Sequence, residues 1–349
     1  MIYLLIIFKL NLIILYFICY LYYFITNKNK LIYFYFFFVF LCYNGIDKIN
    51  YLERSIGLIM KNIDIIGACC DLGVHVDGAN LGPKILETSI NKDNIHEIIN
   101  VKPQAVTKEK EPENKKKNLK SINEYNTRLY STVLNSLNNG MLPLTLGGDH
   151  CIAMASTLAS AKKNGPLGVI WFDAHGDYHT FKTTMSGNIH GLPLAAITHY
   201  EKDLLTDFHD GVYYPPQNTV VLGARDIDLP DEMNNLKDAG VTIITTEDIR
   251  KYGMDAMYQK AFDIASNGTN GVHVSYDLDC IDPEIAPGVS VPAVDGVNLE
   301  EAYGFADYMI KNKDIIKSID VVEFNPTRDI DHKTEKIANH IINKIIENW

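Results

Sequence analysis

The stretch WFDAHGDYHTFKTTMSGNIHG (171–191) sets Asp173, His175, Asp177 and His179 at every second position. In an extended segment, side chains at i, i+2, i+4 and i+6 share a face, so this spacing aims four possible metal ligands one way. Four ionisable groups on one face are costly to bury without a positive partner. Three more stretches carry the same donor types. GGDHC (147–151) supplies Asp149 and His150, SYDLDCIDP (275–283) supplies Asp277 and Asp279, and VVEFNP (321–326) supplies Glu323. One Asp after a strand is ordinarily a helix cap. Four separate exits bearing imidazole and carboxylate are not explained by capping. Nitrogen and oxygen donors without a placed thiolate disfavour structural zinc and suit manganese, with iron, cobalt or zinc as competitors. Roughly six donors are too many for one ion and about enough for two that share carboxylates; two divalent ions about 3.5–4 Å apart hold and deprotonate a bridging water. The chemistry these residues spell is metal-assisted hydrolysis.

Donors on four separated stretches meet only if the chain between them brings their loops together. From residue 62 onward, short β-rich runs alternate with helical stretches. Strands are predicted at 63–68, 142–147, 167–173, 218–224, 240–245, 271–279 and 316–325, and helices at 121–138, 151–163, 231–239, 254–267, 299–312 and 334–347. Strands apolar on both faces and separated by helices predict a single doubly wound, mainly parallel sheet with helices on both faces. Such sheets carry their sites at the carboxyl ends of the strands, where all four donor groups fall. The charged run KEKEPENKKKNLK (108–120) reads as a solvated surface loop.

The chain has 349 residues, of which 47% are hydrophobic and 21% charged, enough for one large α/β domain. Its first 43 residues differ in kind: 32 are Ile, Leu, Phe or Tyr and six more are Asn or Lys, all residues of A/T-rich codons. The uncharged run 10–27 is long enough to span a bilayer. Residues 1–59 are therefore read either as translated A/T-rich DNA ahead of a start at Met60, or as a membrane anchor; the catalytic domain is 60–349. The part after residue 59 carries 27 basic and 41 acidic side chains, which argues against nucleic acid as a partner and suits a cationic small molecule. Six cysteines without CxxC spacing fit reduced thiols in a cytoplasmic protein, with a membrane location only if residues 1–43 are expressed.

The motifs GGDHC, DAHGD (173–177), SGNIHG (186–191), SYDLDCIDP and VVEFNP, in this order after DLG…LGP (71–83), resemble those of the ureohydrolases: arginases, agmatinases and formimidoylglutamases. The resemblance spans about 62–347 and is nearest to bacterial-type arginases. It implies an arginase-like three-layer fold, two Mn²⁺ per subunit, and a homotrimer or homohexamer. One ion would take His150, Asp173, Asp177 and Asp277, and the other His175, Asp173, Asp277 and Asp279. It further implies His190 as proton carrier, Asp279 as orienter of the attacking water and Glu323 as partner of the guanidinium. Ser186, Asn188 and Asp228 would bind the amino-acid end. His179 stands where arginases have Asn, and is either a carboxylate contact or a shaper of the rim. Asp231 stands where they often have Glu, and is either a contact or a helix cap. The loop APGVSVPAVDGVN (286–298) departs from the arginase pattern towards formimidoylglutamases. The expected activity is hydrolysis of L-arginine to L-ornithine and urea. Formimidoylglutamase or another guanidino- or amidino-acid hydrolase is the alternative, agmatinase fits less well, and a non-catalytic metal-binding scaffold is the reading from another class.

Overall fold

Among the described residues eight strands form one sheet: β1 (Ile63–Ala68), β2 (Ile95–Val101), β3 (Leu142–Gly147), β4 (Gly168–Phe172), β5 (Thr219–Ala224), β6 (Thr242–Thr245), β7 (Val272–Asp277) and β8 (Ile316–Val322). Their order is β2-β1-β3-β8-β7-β4-β5-β6, and every pairing is parallel. The computed structural model describes residues 62–102, 108, 115–204, 211–228 and 230–349. The segment 1–59, with its two readings, lies outside them. Among the described residues no helix is long and apolar enough to cross a membrane.

Period-two alternation divides each strand between two cores. Ile63 and Ile65 of β1, and Ile170 and Phe172 of β4, enter one; Ile66 and Ala68, and Val169 and Trp171, enter the other. Helices α1 (Gly82–Ser89), α6 (Thr246–Tyr252), α7 (Met254–Ser266), α8 (Leu299–Lys311) and α9 (Lys333–Asn348) cover the first face. Helices α2 (Leu119–Asn138), α3 (Ala153–Asn164), α4 (Pro193–Ile197) and α5 (Asp231–Ala239) cover the second. Ile122, Tyr125, Leu129, Val133 and Leu137 show why α2 packs as it does: at helical spacing they form one buried stripe. Phe172, the last residue of β4, packs 4.5 Å from Phe305 and 5.0 Å from Tyr276, ring centre to ring centre. Burying such a ring contributes roughly 1.5–3 kcal/mol, and it anchors the backbone immediately before Asp173.

Strand β2 was not among the predicted strands. It is an edge strand in which only Ile95 and Val101 are buried, so IHEIINV has no clean apolar face to read. The short helices α1, α4 and α6 were also not anticipated. The four strands whose exits carry the donors, β3, β8, β7 and β4, are consecutive neighbours at the centre of the sheet. Their carboxyl-end loops therefore open side by side.

Candidate metal centre

At the exit of β3 the chain turns through Gly147 and Gly148. A Cβ at Gly148 would lie 1.6 Å from the Cys70 carbonyl oxygen, so only glycine fits. Asp149 is wholly buried but turns away from the centre: its carboxylate accepts the Gly73 and Cys151 backbone N–H groups at 2.8 and 2.9 Å. Burial, reinforced by Glu323, raises its pKa to about 6. Asp149 is an organiser of the turn that delivers His150.

The His150 ring stacks on Trp171, with centroids 3.8 Å apart and planes 7° from parallel, and its Nε2 lies 2.8 Å from Ser275 Oγ. Its Nδ1 faces three carboxylates: Asp173 Oδ2 at 3.0 Å, Asp277 Oδ2 at 3.0 Å and Asp177 Oδ2 at 3.2 Å. A second grouping lies beside this one, where His175 Nδ1 is 3.0 Å from Asp279 Oδ2 and 3.3 Å from Asp173 Oδ1. Asp173 thus turns one oxygen to each histidine. Asp277 groups with His150 and Asp173, and through Oδ1 it also accepts the Asp279 N–H at 2.7 Å.

The alternating spacing does not act through a straight strand. Strand β4 ends at Phe172, and Asp177 has a left-handed backbone (φ 48°). That conformation is strained for a non-glycine residue. It aims the Asp177 carboxylate at His150 and lets the chain leave the cluster, so His179 sits apart. His179 is held between Thr183 Oγ1 (3.2 Å) and Asp228 Oδ2 (3.0 Å). Glu323, after β8, is also left-handed (φ 66°). Its Oε1 accepts the His150 N–H at 2.8 Å and lies 3.6 Å from His190 Nδ1.

These donors fit divalent cations. His150 Nδ1 and Asp173 Oδ2 approach to 3.0 Å, yet neither makes a hydrogen bond; both are buried. Burial and mutual repulsion push the Asp277 carboxyl well up and the Asp177 carboxyl up to about 7, and raise Asp279. Asp173 goes the other way: the His150 and His175 rings close to its two oxygens overcome burial and hold it low. Four buried aspartates carry the charge that two divalent cations would balance; in the metal-free protein these carboxylates instead raise the pKa of His150 and His175 against the effect of burial. Cys70, Asp149 and Cys151 also lie close together, but both Asp149 oxygens are already occupied by backbone N–H groups.

The other anticipated residues are spread along the mouth. Asn188 is buried, while Ser186 is exposed and its Oγ accepts the Asn188 N–H at 3.2 Å. Asp231 is exposed in the first turn of α5, and the N-cap position before it is Pro230, which makes no side-chain cap bond. The adjacent Glu232 turns inward instead: its carboxylate accepts the Tyr178 and Asp228 N–H groups at 2.9 and 3.1 Å and lies 3.8 Å from His179 Nε2. Ser290, on the divergent loop, is buried and accepts a hydrogen bond from Asn325.

Three residues at this mouth had no forewarning in the sequence. Ser275 holds His150. Glu232 braces His179 and Asp228. Arg225 donates to the carbonyls of Asp279 (2.7 Å), Cys280, Ala293, Val294 and Gly223, fixing the main chain that carries Asp279. An arginine directly after a strand, in GARD, is the one signal that could have drawn attention to it. The lysine run 115–117 is not a freely solvated loop either. Lys115 Nζ donates to the Thr184 carbonyl at 2.7 Å, Lys116 lies over the Phe181 ring, and Lys117 Nζ donates to Asn188 Oδ1 at 3.1 Å.

Fold and site together define a parallel α/β protein with donors for two neighbouring cations. The family model described as "Arginase family" matches residues 61–347. An arginase of Brevibacillus brevis is 36% identical over 298 residues, covering 82% of this chain and 97% of that relative. An arginase of Bacillus caldovelox is 36% identical over 290 residues, covering 80% and 96%. The crystal structure of the Bacillus caldovelox arginase superimposes with a TM-score of 0.76 at 33% identity, covering 83% of this chain and 99% of that one. The Entamoeba histolytica arginase, solved in complex with L-ornithine, gives 0.74 at 27% identity, covering 82% and 98%. This chain belongs to the arginase family.

Proposed function

We propose that this protein hydrolyses the guanidino group of L-arginine to give L-ornithine and urea. The observation that carries the reading is Asp173, whose two oxygens face two histidine–carboxylate groupings at once. The arginases among the relatives support the same substrate. His150, Asp173, Asp177 and Asp277 would hold one cation and His175, Asp173, Asp277 and Asp279 the other; the all-nitrogen-and-oxygen donor set favours Mn²⁺. When bound, the two ions supply Lewis acidity that makes hydroxide available near neutral pH.

The chain's own residues do the rest. Asp279, held by His175 and by the Arg225-clamped backbone, orients the attacking oxygen through a hydrogen bond. Glu323 has one oxygen committed to the His150 N–H, while its buried Oε2 has no hydrogen-bond partner, and that oxygen is available to a guanidinium N–H. The nearby His190 ring, 3.6 Å away, holds the Glu323 carboxyl low despite burial, so it meets the cation as a carboxylate. Glu323 in turn raises the pKa of His190 against the effect of burial. A protonated His190 beside the site can therefore deliver a proton to the leaving amine. At the amino-acid end, Asp228 would receive the α-ammonium with His179 and Glu232 behind it, while Ser186 and Asn188 would face the carboxylate. Asp231 has no part in this placement unless the first turn of α5 moves.

The purified protein, loaded with Mn²⁺, is to be assayed side by side on L-arginine, agmatine, formimidoylglutamate and 4-guanidinobutyrate. Preference for L-arginine is the expected outcome. Preference for formimidoylglutamate would replace the substrate while keeping the chemistry, and metal binding without any turnover would favour a scaffold role. We assign the cytoplasm as compartment, in line with the buried free thiols of Cys69, Cys70, Cys151 and Cys280, and a homotrimer or homohexamer as the assembly, which sedimentation would measure.

A further inference from the structure

An amino-acid substrate brings its own carboxylate to a site rich in aspartate, where the positive group assigned above, His190, faces Glu323. His179, which replaces the usual amide, is not free to meet that carboxylate either, because both its ring nitrogens are engaged by Thr183 and Asp228. Asn188 is fixed from both ends of its amide. Its Oδ1 accepts Lys117 Nζ at 3.1 Å and its Nδ2 lies 3.2 Å from His75 Nδ1. We propose that Lys117, seated on Asn188, is the specificity-determining cation that selects substrates bearing a carboxylate at the end remote from the guanidino group. The assignment rests on the amino-acid-substrate reading above and adds the residue that enforces it.

Three observations carry it. First, Lys117 is held in place: its backbone N–H bonds the Gly187 carbonyl at 3.3 Å, and Lys115 and Lys116 fasten the same segment to Thr184 and Phe181. The fit is tight, since a Cβ on Gly187 (φ 72°) would come within 2.9 Å of Lys115. Second, the segment it grips, 181–188, ends two residues before His190, the proposed proton carrier, so the charge is tied to the loop that carries that histidine. Third, other cations reach the same neighbourhood, Lys108 among them being paired with Asp71 and Asp77. The pKa of His75 is lowered by partial burial and then by His190, Lys117, Arg328 and Lys108, all of one sign. Lys117, shared with the Asn188 amide oxygen, still has two N–H bonds to give to a carboxylate.

The test compares ligands that differ only by the carboxylate. Inhibition constants of L-ornithine and putrescine, and kinetics on L-arginine, are to be measured for the Mn²⁺-loaded protein, for Lys117→Met and for Lys117→Arg. Loss of a charge-assisted hydrogen bond predicts that Lys117→Met weakens L-ornithine by about tenfold or more and raises KM for L-arginine in parallel. The affinity for putrescine and kcat should stay within about threefold of the unmodified protein, and Lys117→Arg should restore most of the loss. Equal weakening of ornithine and putrescine, or no change in either, would overturn the assignment. Lys115→Met separates bracing from charge, because it loosens the same segment while leaving Lys117 intact; a selective ornithine defect there as large as in Lys117→Met would also overturn it. Calorimetric binding of L-ornithine gives the same comparison without turnover. Failure of the unmodified protein to hydrolyse L-arginine would count against the proposed function instead and is read before any variant.

Discussion

Removing one hydroxyl, in Ser275→Ala, tests how the metal centre is tuned. Ser275 Oγ is fully buried, 2.8 Å from His150 Nε2, on a ring whose other nitrogen faces three carboxylates at 3.0–3.2 Å. For Nδ1 to offer a lone pair to a cation, Nε2 must carry the proton, and Ser275 is its acceptor. Without it the Nε2–H is stranded in a buried space against Trp171, at a cost of about 1–3 kcal/mol. The wrong tautomer, which would point a proton at the carboxylates, becomes competitive. Loss of such a supporting hydrogen bond lowers metal affinity about 10–100-fold. Titration with Mn²⁺ against a chromophoric chelator should show one weakened and one nearly unchanged binding step, because His175 and Asp279 do not touch Ser275. Two unchanged steps would refute the tautomer argument. Two equally weakened steps would show that Ser275 acts through general stability, which a thermal melt of the metal-free variant would register.

Asp173→Asn should lower bound metal from two ions to fewer than one, whereas Asp177→Asn, on the His150 side alone, should keep about one; elemental analysis after gel filtration reads both. Glu323→Gln should keep its metal while kcat on L-arginine falls about 10²–10³-fold, the usual scale for a lost transition-state electrostatic contact. Gly148→Ala should destabilise by about 3 kcal/mol or more, or prevent folding, since the new Cβ meets backbone at Cys70; denaturant titration measures it. In metal-free protein, Asp177 (about 7) and Asp149 (about 6) sit above their unfolded value of 3.8. The native state therefore holds the extra protons, and that contribution is lost as pH rises through about 6 to 7. Chelation should lower the melting temperature more at pH 8 than at pH 5.5; an equal fall at both would contradict the assignment.

The centre of this fold could be read from the chain because its central strands are short apolar runs buried on both faces, each followed at once by its donors. GVIWF then Asp173, and VHVSYD with Asp277 at its tip, announce both position and purpose. Edge strand β2 lacked that signature, since IHEIINV buries only its two ends. The alternation of Asp173, His175, Asp177 and His179 pointed to the right cluster by an incomplete argument: the left-handed turn at Asp177, which no spacing rule reveals, sends His179 elsewhere. The choice between Asp231 and Glu232 depends on the rotation of α5, set by packing of Leu236 far along the helix. Lys117 was lost in a charged run because its partner Asn188 is 71 residues away.

Strand β8 is inserted between β3 and β7, although it is the last strand in the chain. Without it the sheet would divide into two parts, with His150 on one and Asp173, His175, Asp177, Asp277 and Asp279 on the other. The closing contact, His150 N–H to Glu323, joins residues 173 apart. The proposed ligand set is therefore complete only with β8 in place, and retention of both ions would report that the last strand is paired.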